Sequence, residues 1–252
     1  MVTPGDPRVR TVKRFRRVYY DLFSRWYDRI IAMHSGDASA RARDFLVERA
    51  GVGAGGRVLD LCTGTGAVAL RARRTTGPDG LVVGLDFSTG MIGRARAKAG
   101  QSPTSPAASP PVSSAASSPT LPAAEEARPA ASPGLGFVVG DASRLPFGDG
   151  SFDVVTCSHA MYELGPEVRG GVLAEARRVL RPGGRFVMME HTEPSHPVTR
   201  FLYGVRLAAM GSAKNRDFAR DERPFLARHF ADVTLELSST ARSKLVRGVK
   251  GA

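Results

Sequence analysis

The chain has 252 residues, 42% of them hydrophobic, and a formal net charge of +12. That content supports one good core with at most a small accessory layer. Two cysteines cannot make a disulfide framework, no run of about 18 apolar residues is present to cross a bilayer, and the N-terminus lacks an apolar signal core. The expectation is a cytoplasmic protein in which Cys62 and Cys157, each at the end of an apolar run, are small, reduced core residues.

Much of the positive charge is arginine spread along the chain, but Arg8, Arg10, Lys13, Arg14, Arg16 and Arg17 form a cluster with no acid among them. A solvated helix face is the first reading, contact with an anionic membrane or an acidic partner the second; nucleic acid is not expected. From Val9 to His34, Phe15, Val18, Tyr19, Leu22, Phe23, Trp26, Tyr27, Ile30 and Ile31 recur at three- and four-residue intervals, a helical stripe in one or two pieces. A second helix over Asp37–Ala50 stops at Gly51.

Strand and helix then alternate. Strand 57–62 leads to helix 66–75, the Gly77-Pro78-Asp79-Gly80 turn, strand 81–86 and helix 88–99, with Ser88 as N-cap. Residues 101–133 are dominated by serine, proline and alanine. Such a segment buries too little surface to offset its ordering entropy, so a disordered insertion in a surface loop is expected. Strand 136–140, strand 152–158, helix 166–180, the Arg181-Pro182-Gly183-Gly184 turn and strand 185–190 follow. The tail reads as helices near 198–209 and 221–229 and a hairpin of strands near 232–238 and 244–249. The alternation implies right-handed βαβ units and a mostly parallel sheet, with the hairpin at its edge.

Three apolar strands end in or run into a carboxylate: Asp60, Asp86 and Asp141. After the first comes Cys62-Thr63-Gly64-Thr65-Gly66, a turn whose glycines let backbone approach a ligand closely. Val58 to Gly66, Gly84 to Met91, Gly140-Asp141-Ala142 with Leu145-Pro146-Phe147, Ser151-Phe152-Asp153 and Leu180 to Gly184 stand in an order that resembles the class I S-adenosylmethionine-dependent methyltransferases, in the group of ubiquinone/menaquinone C-methyltransferases. A nicotinamide enzyme fits less well: the turn lacks the third glycine of Gly-x-Gly-x-x-Gly, with Ala69 in its place, and the Asp141-Ala142 segment matches the methyltransferase pattern alone.

The resemblance implies a Rossmann-like, doubly wound, seven-stranded sheet over 51–252, with residues 1–50 as helical lid of the same domain; Phe23 to Asp28 resembles that lid, and Tyr20 and Tyr27 are its substrate-facing candidates. It also implies S-adenosylmethionine as cofactor. Asp60, Thr63, Gly64, Thr65 and Gly66 would hold its methionine end, Asp86 its ribose hydroxyls, Phe87 and Met91 would flank the adenine, and Asp141 and Ala142 would read the adenine edge, with Ser158 completing the set. Each acid also has a plainer reading as a cap of the following turn or helix. Where the family carries glycine this chain has Cys62, small enough to keep the turn.

Methyl transfer needs an acceptor in line with the departing sulfur, and a base only where that acceptor must lose a proton. His159 and His191, after the fourth and fifth strands, both have side chains that titrate near neutrality; the residues do not choose between them. Ser158-His159-Ala160-Met161 stands where enzymes acting on DNA amino groups carry Asn/Asp-Pro-Pro-Tyr/Phe, and no zinc spacing or metal-binding carboxylate set is present. A small-molecule or lipidic acceptor remains, a quinone precursor or a phospholipid headgroup, with peripheral contact at the inner membrane face as a further expectation. The alternative is a cofactor-binding homologue acting as a binding or regulatory module; the intact strand-end acids favour the enzyme.

Overall fold

A computed structural model of the protein describes residues 20, 21, 24, 37–100, 134–192, 201, 221–239 and 243–252. The expected helices over 9–34 and 198–209, apart from Tyr20, Asp21, Ser24 and Phe201, lie outside these residues, as do Tyr27, the basic cluster and the 101–133 insertion. The described elements are α1 (Asp37–Ala50), β1 (Arg57–Leu61), α2 (Ala67–Thr76), β2 (Leu81–Asp86), α3 (Thr89–Lys98), β3 (Gly134–Val139) and β4 (Phe152–Ser158). A 3-10 turn (Met161–Glu163) follows, then α4 (Pro166–Val179), β5 (Leu180–His191), α5 (Arg223–Leu226), β6 (Ala231–Leu237) and β7 (Ser243–Val249).

The strands form one seven-stranded sheet in the order β3-β2-β1-β4-β5-β7-β6. The first five positions pair in parallel, and β7 runs antiparallel to both β5 and β6. Parallel strands are covered on both faces, which is why they read as continuous apolar runs. Along β1, Leu59 and Leu61 enter one core with Val155, Cys157, Phe186 and Met188, under α4 and α5. Val58 enters the other with Val82, Phe137 and Val154, under α1, α2 and α3.

From β1 the chain winds outward through β2 to β3, then returns to β4 on the other side of β1. That reversal leaves a crevice outside the carboxyl ends of β1 and β4, where open α/β sheets bind ligands.

Two elements differ from their sequence reading by more than two residues at an end. β5 begins at Leu180 rather than 185, because Leu180 pairs with Phe152 before the register shifts and Arg185 pairs with Val154. Gly183, at φ 71, makes the intervening turn. The helix expected over 221–229 is a single turn over Arg223–Leu226, after which His229 N and Phe230 N both donate to Leu226 O and the chain seats Phe230 in the core.

Candidate active site

The turn after β1 is built on left-handed backbone at Cys62 (φ 52), Gly64 (φ 56) and Gly66 (φ 79). The two glycines differ in what surrounds them. A Cβ on Gly64 would meet nothing within 4 Å, whereas one on Gly66 would lie 2.9 Å from the Phe137 ring and 3.0 Å from the Ala95 side chain. Gly64 therefore leaves open space at the turn. Gly66 is required in addition for close packing of the turn against β3 and α3.

Asp60 is only 1% exposed and lies beside Thr156 in register. Its oxygens accept from the hydroxyls of Thr63 (2.5 Å) and Thr156 (2.7 Å). Burial pushes its carboxyl up to about 6, those hydroxyls oppose the rise, and the charge of Asp86 adds to it. Asp86 is 6% exposed and accepts from Gly64 N (2.9 Å) and Ser88 N (3.0 Å), so it ties the β1 turn to the tip of β2. Burial raises its carboxyl too, against the backbone N–H groups of Ser88, Gly64 and Phe87. Among the described residues neither carboxylate has an ion pair with a basic side chain.

Thr65 is buried and its hydroxyl accepts from Lys98 Nζ at 2.8 Å. Ser88 caps α3 as its sequence indicates, accepting from Met91 N at 3.1 Å, and Met91 is buried beneath. The end of β3 is fixed to β2 by Gly140 N donating to Asp86 O at 2.9 Å. Asp141 is exposed there, its Oδ1 accepting from Ser143 N (2.9 Å) and Ser143 Oγ (2.7 Å), with Ala142 buried beside it. Asp60, Asp86 and Asp141 thus stand at one end of three adjacent strands.

The N-terminal segment meets this rim at Tyr20, Asp21 and Ser24. Asp21 Oδ1 accepts from Ser88 Oγ (2.5 Å) and Gly90 N (2.9 Å), so it completes the α3 cap in trans. A Cβ on Gly90 would come within 2.9 Å of Asp21 backbone and of Ser24 Oγ. Tyr20 packs edge-on to Phe87 at 5.7 Å between centroids, and its hydroxyl donates to Glu163 Oε2.

Across the crevice, His159 is held at φ 53 with its N donating to Met189 O at 2.7 Å. Its ring lies 4.0 Å from that of His191, centroid to centroid, at 34°, and Tyr162 stands 6.3 Å from His191. Ser158 Oγ and His159 Nδ1 share a hydrogen bond at 2.9 Å, while His159 Nε2 is buried with no hydrogen-bond partner among the described residues. Burial, then the proximity of His191 and Arg43, holds His159 well below the usual histidine range, so its ring is neutral.

Sequence reasoning did not anticipate the support beneath these loops. Glu190 is buried, and its Oε1 accepts from Met161 N at 2.8 Å. Arg169, 1% exposed on α4, donates to Met161 O (3.2 Å) and Leu164 O (2.7 Å). Together they fix the 3-10 turn that carries Tyr162 and Glu163. Burial pushes Glu190 well above the carboxylate range and brings Arg169 down to about 10. Below them Lys244 Nζ pairs with the buried Glu222 at 2.8 Å. An arginine on a helix reads as surface in sequence, and nothing local marks Arg169 as interior.

The family profile described as "Methyltransferase domain" matches residues 59–188, and that of the "ubiE/COQ5 methyltransferase family" matches 8–109. The chain is 32% identical over 191 residues to the ubiquinone/menaquinone biosynthesis C-methyltransferase UbiE of Geobacter sp. strain M21, covering 76% of this chain and 68% of that protein. It is 36% identical over 166 residues to the demethylmenaquinone methyltransferase of Beutenbergia cavernae, where the match covers 66% of this chain and about half (53%) of that protein. In fold it resembles the S-adenosylmethionine-dependent methyltransferase from Thermotoga maritima, with a TM-score of 0.60, 17% identity, and 93% and 99% of the two chains covered. The Haloferax volcanii methyltransferase solved with the Trm112 activator gives a TM-score of 0.58 at 20% identity, covering 94% and 97%. With both strand-end acids in one crevice and relatives of this kind, the chain belongs to the S-adenosylmethionine-dependent methyltransferases, among the ubiquinone/menaquinone C-methyltransferases.

Proposed function

We propose that this protein transfers a methyl group from S-adenosylmethionine to a ring carbon of a quinone precursor. Two buried carboxylates with no described basic partner suit a ligand that brings its own positive charge. We assign Asp60 and the Thr63–Gly66 turn to the methionine end, Asp86 to the ribose, Phe87 and Met91 to the flanks of the adenine, Asp141 and Ala142 to its edge, and Ser158 to the boundary with the acceptor. The cofactor, when bound, supplies an electrophilic methyl on a sulfonium.

The acceptor side is flat and π-rich. Tyr20 and the close His159–His191 pair are aromatic rings suited to an aromatic acceptor, with Tyr162 buried behind His191. A hydroquinone ring carbon becomes nucleophilic as its neighbouring hydroxyl gives up a proton, and the ring must later lose the hydrogen from the methylated carbon. The single observation behind this reading is the unpartnered, buried Nε2 of His159 on a ring held neutral: such a nitrogen can take the hydroxyl proton when Nδ1 carries the hydrogen toward Ser158. His191, exposed and stacked on it, is the second base in the same place.

We further assign residues 1–50 to a lid over the cofactor, which the contacts of Tyr20, Asp21 and Ser24 support, and assign the basic segment 8–17 to anionic lipid, where a lipophilic acceptor partitions. The deciding experiment incubates the protein with methyl-labelled S-adenosylmethionine and either a hydroxylated naphthoquinol or phosphatidylethanolamine vesicles. Label on a carbon of the quinol supports the proposal; label on the headgroup amine alone, or in neither, overturns it.

A further inference from the structure

The chain's two cysteines are brought together beside the cofactor turn. Side chains alternate along β1, with Leu59 and Leu61 on one face and Val58 and Asp60 on the other. Strict alternation would send Cys62 to the Asp60 face. Its φ of 52 breaks the alternation, and Cys62 packs against the opposite core, the one that contains Cys157. Cys157 sits on β4 in register with Leu61, the residue before Cys62. A strand spacing of about 4.8 Å and a rise of about 3.3 Å put a one-step diagonal near 5.8 Å between Cα atoms. That lies within the roughly 4.4–6.8 Å window that a disulfide spans. The two thiols are near enough for Cys62 to bear on the ionisation of Cys157.

We propose that Cys62 and Cys157 are a reversible oxidation site, closing to an intramolecular disulfide with hydrogen peroxide and loosening the cofactor turn when closed. Cys62, partly exposed where Cys157 is buried, is the thiol that meets the oxidant. Its sulfur attacks one peroxide oxygen, the O–O bond breaks, and Cys62 becomes a sulfenic acid as water leaves. The Cys157 sulfur then attacks the Cys62 sulfur. The S–S bond forms, the S–O bond breaks, and the departing hydroxide leaves as water with the proton from Cys157. Two thiols lose two hydrogens and one peroxide is reduced to two waters. The neighbouring Cys62 thiol, together with burial, raises Cys157 and keeps it a thiol, so it is the resolving partner and not the first to react.

Closing the bond draws the sulfurs to about 2.05 Å. Cys157 lies in the closed middle of the sheet and cannot follow, so the Cys62–Gly66 turn moves inward, taking Thr63 and Gly64 from the positions that face the ligand. The thiol chemistry stands on its own, whereas its effect on cofactor binding rests on the assignment of this turn above. The test treats the full chain with hydrogen peroxide, alkylates what thiols remain, and weighs the intact protein, before and after dithiothreitol. Expected are two alkyl groups on the reduced chain, none after peroxide, and two again after dithiothreitol. S-adenosylmethionine affinity should fall at least fivefold in the oxidised form and recover on reduction. In Cys62→Gly, which puts at this φ the residue the left-handed region favours, the affinity should be the same with and without peroxide. Two alkyl groups remaining on peroxide-treated wild type, or a disulfide found only between two chains, overturns the site. An equal loss of affinity in peroxide-treated Cys62→Gly overturns the coupling to the turn.

Discussion

The hydroxyl of Tyr20 donates to Glu163 across 143 positions of sequence, joining the N-terminal segment to the loop after β4. The same tyrosine packs on Phe87 at the tip of β2, so one side chain spans the sides of the crevice that we propose for the adenine and for the acceptor. A hydrogen bond to a charged acceptor contributes about 1.5–3 kcal/mol. We expect Tyr20→Phe to weaken S-adenosylmethionine binding by about tenfold, with calorimetric titration as the check. The N-terminal segment should also become more accessible to protease in the variant with ligand present.

Asp60 sets function against stability. Its carboxyl moves from 3.8 to about 6 on folding. Below about pH 3 it is protonated in both states and has no effect on stability. As pH rises toward 6 the unfolded chain releases its proton first, so the folded state loses about 3 kcal/mol from this group, in full above about pH 7. Asp60→Asn should therefore melt several degrees higher than wild type at pH 7.5 and lose most of that advantage near pH 4.5, while binding S-adenosylmethionine more weakly at both. Thermal melts of the two proteins at the two pH values decide it.

His159 should give the reaction little pH dependence near neutrality. Because its ring is held well below the ordinary histidine range, it stays unprotonated throughout pH 6.5–8, and the acid limb of kcat/KM should fall below 6.5. We expect His159→Gln to lower kcat by about a hundredfold or more, within the usual range for a lost general base, with S-adenosylmethionine affinity nearly unchanged. A wild-type acid limb at 6.5 or above, or a variant that loses only affinity, would reassign the base to His191.

Glu190 is expected to tolerate an isosteric amide. Burial and the charge of Glu222 push its carboxyl well above the carboxylate range, and its measurable task is to accept from Met161 N. Glu190→Gln keeps that acceptor and should change stability by less than about 1 kcal/mol, whereas Glu190→Ala leaves a buried N–H unsatisfied and should cost about 2–3 kcal/mol. Urea unfolding of the pair gives both numbers.

The sheet was legible because each central strand is an apolar run bounded by turn residues, and β2 and β4 match their expected spans residue for residue. Ser88 as N-cap was legible for the same reason: capping is local. What escaped was non-local. Asp21 caps α3 from 67 residues away from Ser88, and no pattern near Asp21 or near Gly90 signals that contact. Arg169 looks like any charged helix residue until β5 and α5 close over it. By size alone Cys62 is a tolerable stand-in for glycine, but what decides its neighbourhood is a left-handed φ that turns its side chain onto the Cys157 face. The assignments of Asp60, Asp86 and Asp141 came from their shared position at strand ends, which parallel topology converts into shared space.

The central claim is that this crevice holds S-adenosylmethionine through its strand-end acids, and Asp86 tests it most directly. Calorimetric titration of wild type and Asp86→Ala at one pH and salt concentration should give saturable one-to-one binding in the first and at least a tenfold weaker affinity in the second, with both proteins folded by circular dichroism. Equal affinities, or no binding by folded wild type, would contradict the account.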